Sequence, residues 1–147
     1  MIRLMKREEG FSLLEVLIAL AIIGVIAATF LTALSVSSKS VLISDERATA
    51  ESLARSQMES VREQGYEMAP TGGEATYITI SIPPEADNYS IWSVNRAEEV
   101  VEGVVGVPWD SEDNQAQNQD LGLQRIRLVI KNHDKSVFIL ENYKVGR

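Results

Sequence analysis

The sequence predicts an α+β protein: one long N-terminal helix, membrane-spanning in its first half and amphipathic in its second, laid on a small antiparallel sheet. Three observations carry this. Residues 11–34 read FSLLEVLIALAIIGVIAATFLTAL, an apolar run without proline. Ala50, Leu53, Ala54, Met58 and Val61 then recur at helical spacing, with Glu51, Arg55, Glu59 and Arg62 between them. Beyond residue 75 the apolar period changes to two, in short segments bounded by turn residues.

The apolar run of about 24 residues is long enough to cross a bilayer as a helix. Arg3, Lys6 and Arg7 precede it, and the first basic residue after it is Lys39. The positive-inside rule therefore keeps the N-terminus in the cytoplasm and places the rest outside. Helical spacing continues to residue 64, and Gly65 is read as the C-cap. Pro70, Gly72 and Gly73 make a loop. Thr76–Ile82 alternates up to Pro83-Pro84 and is read as a strand; Tyr89–Asn95 alternates again. Val100–Val107 is apolar but interrupted by Gly103 and Gly106, which leaves its assignment open. Leu123–Lys131 and Ser136–Tyr143 are read as strands joined by the turn Asn132–Lys135. The expected divisions are 1–10, 11–34, 35–65 and a β-rich head, 66–147.

Composition narrows the function classes. A net charge of −7 argues against nucleic-acid binding, which requires a basic surface. The absence of cysteine excludes disulfides, Cys-ligated zinc and a thiol nucleophile. One histidine, His133, excludes a His pair for metal binding or acid–base chemistry within the chain, and its place beside Asp134 reads as a surface turn. No cofactor and no catalytic constellation is expected. Trp92 and Trp109 fit either interface anchors or partly buried core.

Glu15 stands inside the apolar run. A carboxylate in hydrocarbon costs about 2.5–3.5 kcal/mol on insertion scales, so an intramembrane acid marks a functional position, unless it reaches water at the membrane edge. Its setting, Lys6-Arg7-Glu8-Glu9-Gly10-Phe11-Ser12-Leu13-Leu14-Glu15, resembles the signal of type IV prepilins and type II secretion pseudopilins. The resemblance implies a pilin-like fold and cleavage by prepilin peptidase between Gly10 and Phe11, with residues 1–10 as leader. It also implies N-methylation of Phe11 and an assembly charge pair between Glu15 and the Phe11 amine of a neighbouring subunit. As i and i+4 positions, the two lie on one helix face.

The segment Leu53–Arg62 is also similar to PilV-like minor pilins and I-type minor pseudopilins, although any amphipathic helix approximates it. The implied role is a structural subunit, not an enzyme, that primes or caps a type IV pilus or secretion pseudopilus. Its implied partners are prepilin peptidase, other subunits and the inner-membrane assembly platform. The competing expectation is an exported enzyme or binding module tethered by the helix.

One acidic segment remains. Asp110, Glu112, Asp113 and Asp120 fall between Trp109 and Gly122. Calcium takes several oxygen ligands, but EF-hand spacing is missing, and a solvated loop has the same composition.

Overall fold

The computed structural model describes residues 12–109 and 119–146. The chain divides into two compact units, the first ending at Leu42 and the second beginning at Ile43. Helix α1 runs Leu13–Glu63. Among the described residues six strands follow: β1 (Ala75–Tyr77), β2 (Tyr89–Val94), β3 (Val100–Glu102), β4 (Val104–Pro108), β5 (Leu123–Asn132) and β6 (Lys135–Val145), with a short 3-10 turn at Pro84–Ala86. The fold class is α+β, as the sequence predicts.

All strand pairs are antiparallel. β5 is the organising strand: β6 pairs along its whole length on one side, while β2 and β4 share the other. β1 adds to β4 and β3 to β2. Alternation along β5 divides the two faces of the sheet. Ile126, Leu128 and Ile130 are buried, and Arg125, Arg127 and Lys131 lie on the opposite face. The buried face packs on the predicted stripe of α1: Ala50, Leu53, Ala54, Met58 and Val61 join Tyr77, Tyr89, Ile91 and Val104 in one core. Burial along α1 starts at Glu46 and is complete at Ala50.

Val100–Val107 resolves into two strands. Gly103, at φ 90°, lets the chain leave β2 and pair with β1 and β5 instead. At Gly106 a Cβ would lie 2.3 Å from Gln124 Oε1 and 2.9 Å from the Tyr77 ring, so only glycine fits. The β5–β6 turn is tighter than predicted. Asn132 and Lys135 pair, leaving His133 and Asp134 as the loop, with His133 at φ 53°.

Two expectations are corrected. Thr76–Ile82 is not one strand, because β1 stops at Tyr77. Beyond it the backbone bonds to side chains of α1: Ile78 N–H donates to Gln64 Oε1 (2.8 Å) and Ile80 N–H to Gln57 Oε1 (2.8 Å). The Ile78 carbonyl accepts from Gln57 Nε2 (3.0 Å) and Gln64 Nε2 (3.1 Å). Two glutamines thus take the place of a neighbouring strand. Nor does Gly65 cap α1, since it lacks the left-handed conformation that such a cap requires. Instead the buried Lys144 ammonium, reaching from β6, donates to the Val61 and Gln64 carbonyls at the end of the helix. Burial lowers the Lys144 pKa, and Glu67 partly counters this.

Candidate membrane and assembly segment

α1 opens where the Ser12 carbonyl accepts from Glu15 N–H (2.9 Å) and Val16 N–H (3.2 Å). From Leu13 to Leu34 the helix displays its apolar side chains on every side. Leu13, Leu17, Leu20, Ile23, Ile26, Phe30 and Leu34 are all exposed. The stretch is long and apolar enough to cross a membrane. Its hydroxyls suit that setting, because Thr29 donates to the Ile26 carbonyl (2.8 Å) and Thr32 to that of Ala28 (2.9 Å). No hydroxyl donor of these threonines is left to face hydrocarbon.

Glu15 lies in the first turn of α1. Around it are Ser12, Leu14, Ile18, Ala19 and Ile22. Ile18, Ala19 and Ile22 follow at three, four and seven residues, so one acidic group stands at the head of an otherwise apolar stripe. A carboxylate at a helix N-terminus is favoured by the aligned peptide dipoles, by about 0.3–1 kcal/mol where exposed.

Gly10 and Phe11 lie outside the described residues, as do Asp110, Glu112 and Asp113. Asp120 is described, and it serves the fold. Its Oδ1 accepts from Tyr66 Oη (2.5 Å) and Gly122 N–H (2.9 Å); its Oδ2 accepts from Ala69 N–H (2.9 Å) and Gln124 Nε2 (2.6 Å). Burial alone would raise this carboxyl, but the four donors outweigh burial and hold it below the usual aspartate value. The Tyr66 phenol is raised by burial and by the adjacent Asp120 charge. Gln124 extends the network, accepting from Tyr77 Oη (2.6 Å) and donating to the Glu67 carbonyl (2.7 Å).

His133 is the turn residue the sequence suggested, with Nδ1 2.8 Å from Asn132 Oδ1. Trp109 is 45% exposed and edge-on to Tyr143, with ring centroids 5.3 Å apart. Trp92 is half-buried, with the Lys131 ammonium 3.7 Å over its ring.

Sequence reasoning missed Gln57, Gln64, Gln124 and Lys144. Of these, only Gln57 left a trace: it falls among the apolar stripe positions, between Ala54 and Val61.

Residues 5–31 match the family model of the prokaryotic N-terminal methylation motif. No curated protein and no solved structure matches the chain. The matched stretch takes in Lys6, Arg7, Gly10, Phe11, Glu15 and the apolar run as far as Leu31. One long N-terminal helix with a curled antiparallel sheet is the pilin-like α+β arrangement. The chain thus carries a type IV pilin-like prepilin signal, the substrate signal of prepilin peptidase, at the head of a membrane-length helix.

Proposed function

We propose that the chain is a minor pilin or pseudopilin, a structural subunit that helps initiate or cap a type IV pilus or a type II secretion pseudopilus. The observation that carries this reading is the N-terminal methylation motif over residues 5–31, continuous with an apolar helix exposed on all sides. Exposed leucine, isoleucine and phenylalanine in such number are stable only in lipid or against other helices. A subunit that moves from bilayer to filament exchanges one cover for the other.

In this reading prepilin peptidase cuts between Gly10 and Phe11 on the cytoplasmic face and methylates the new Phe11 amine. The leader 1–10 is lost, and 11–34 holds the chain in the inner membrane as a single span. The continuation 35–65 and the head 66–147 lie outside. Glu15 then pairs with the Phe11 amine of a neighbouring subunit. Each group is costly alone in hydrocarbon, and together they guide the subunit from the membrane and set its stagger. The partners are prepilin peptidase, sister subunits and the inner-membrane assembly platform.

The test is co-expression of the full chain with a prepilin peptidase, followed by intact-mass measurement. The expected product lacks residues 1–10 and carries one methyl group at Phe11. An uncut chain, or one cut after the apolar run, would favour the competing reading of an exported module on a tether.

A further inference from the structure

Among the described residues β1, β3 and β6 each have a free edge, and the edges differ in length. β1 and β3 span three residues each, whereas β6 spans eleven and pairs only with β5. A row of bare N–H and C=O groups is a template for another strand. The bonds of β6 fix which of its groups are bare. Gly146 N–H donates to the Gly122 carbonyl (2.7 Å), while the Leu123 carbonyl turns the other way and accepts from Trp109 N–H (2.8 Å). Antiparallel alternation then points the N–H and C=O of Ile139, Glu141, Tyr143 and Val145 away from β5. Asn142 Oδ1 accepts from the Tyr143 N–H (2.8 Å), but among the described residues nothing meets the N–H groups of Ile139 and Glu141.

β3 supplies the complement. Asn95 N–H donates to the Glu99 carbonyl (2.9 Å) and Gly103 N–H to that of Ile91 (3.4 Å), so Val100 and Glu102 turn their N–H and C=O away from β2. Each strand pair from β3 through β2 and β5 to β6 is antiparallel, so β3 runs opposite to β6. Glu102 stands opposite Trp92, on the outward face that Glu141 shares with Arg127, and Val101 stands on the other face.

We infer that β6 of one copy pairs with β3 of a second copy standing in the same sense, with the neighbour's Val101 opposite Leu140. The bare positions then meet, Ile139 with Glu102 and Glu141 with Val100, and α1 stays on one face of the joined sheet. Val101 covers a cavity of about 170 Å³ between α1 and β6, lined by Arg55, Met58, Glu59, Arg62, Leu140 and Asn142. Glu99, two residues before Val101, comes opposite Asn142 and faces Arg62. Its carboxylate has no ion pair among the described residues, only a 3.3 Å bond from Asn95 Nδ2. Arg62 holds Glu59 loosely, at 3.3 Å with both side chains mostly exposed. Pairing of two β6 strands with each other is excluded by direction. α1 runs alongside β6, from Glu46 at Asn132 (2.9 Å) to Val61 at Lys144, so antiparallel β6 strands would set the two helices in opposite directions. Chains that enter one membrane by the same N-terminal span share one direction. That shared anchor is all the inference rests on in the proposed function. The contact is head-to-tail and leaves an edge open at each end, so it repeats.

The chain has no cysteine, so introduced ones report alone. The full, uncut chain is reconstituted in phosphatidylethanolamine–phosphatidylglycerol vesicles, so cleavage has no bearing on the result. Glu102→Cys and Ile139→Cys chains are mixed and treated with a short thiol crosslinker. The mixture should give severalfold more dimer than either variant alone. It should also exceed Ile139→Cys mixed with Met68→Cys, a head position that is 72% exposed. The double variant should give a ladder of higher oligomers. Glu99→Lys in the Glu102→Cys chain should lower the yield severalfold, and Arg62→Glu in its Ile139→Cys partner should restore it. Ile139→Cys alone matching the mixture would show symmetric β6 pairing and overturn the inference. A yield no higher than the Met68→Cys control overturns it, as does failure of the reversed charges to restore the dimer. Far-ultraviolet circular dichroism of each variant checks that it folds, and should a charge variant unfold, the Met68→Cys comparison decides. A chain that crosslinks as expected yet stays uncut by prepilin peptidase would refute the processing reading and leave this one standing.

Discussion

Removal of the Gln57 side-chain amide is the sharpest test of how the head is held to α1. Gln57 is fully buried, and its amide forms two of the four bonds that fix residues 78–80. Gln57→Leu keeps the approximate volume and the helix propensity, so the effect isolates the amide. Loss of two hydrogen bonds costs about 1 kcal/mol each. The Ile78 carbonyl keeps Gln64 as a donor, whereas the Ile80 N–H is left without its acceptor in a partly buried site. An unmet amide adds about 1–3 kcal/mol, and the apolar leucine offsets part of the sum. The net expectation is a loss of about 2–4 kcal/mol. For a unit of this size that lowers Tm by about 10–20 °C. The assay is thermal and urea unfolding, followed by circular dichroism, of the segment beginning near Ser35. Gln64→Leu is the control. Its bonds are exposed and water replaces them, so it should cost less than about 1 kcal/mol. A Gln57→Leu variant within about 0.5 kcal/mol of the parent, or with undiminished hydrogen-exchange protection at Ile80, would refute the reasoning.

Other outcomes follow from the same structure. The segment beginning near Ser35 should fold alone as a monomer with mixed helix and sheet, because the core draws on α1 only from Ala50 onward. A spectrum without cooperative melting would show that the head requires a partner. Asp120→Asn should lower stability at neutral pH by about 2 kcal/mol or more, since the replacement cannot accept all four bonds. Because the folded carboxyl lies below its unfolded value, its contribution is complete above the ordinary aspartate pKa of 3.8. It disappears as pH falls through the lowered value, so the variant should lose less stability than the parent between pH 5 and pH 2, roughly. Urea titrations at several pH values measure this, and parallel curves would argue against it. Glu15→Leu should insert in the membrane as well as the parent or better, yet enter filaments poorly, with Glu15→Asp intermediate. The measurement is the ratio of membrane-held to filament-incorporated protein, with processing scored separately. Equal incorporation of the leucine variant would reduce Glu15 to a membrane-edge acid.

Much of this protein was legible in its residues because the deciding interactions are local or periodic. The apolar run 11–34 needs lipid or other apolar helices to cover it, so its class follows from composition and length. The stripe Ala50–Val61 identifies the buried side of α1, since 3.6 residues per turn project those positions onto one face. β2, β5 and β6 follow from alternation for the same geometric reason. The methylation motif over residues 5–31 is a linear signal, and such a signal needs no tertiary contact to be recognised.

The features that escaped sequence reasoning are those whose partners stand far apart in the chain. Thr76–Ile82 alternates as a strand does, yet the bonds of Ile78 and Ile80 go to glutamines on α1, with Gln57 and Ile78 separated by 21 positions. Tyr66 and Asp120 are 54 apart, which is why Asp120 reads as one more acid in a polar loop and not as the acceptor for four donors. Gly65 has the composition of a C-cap, but Lys144, 83 residues beyond Val61, reaches the helix end first. A buried polar group must find a partner somewhere, and local sequence states that need without saying where it is met. The packing of β6 and the 66–70 loop around the end of α1 decides which donor meets which acceptor, and that decision belongs to the tertiary structure alone.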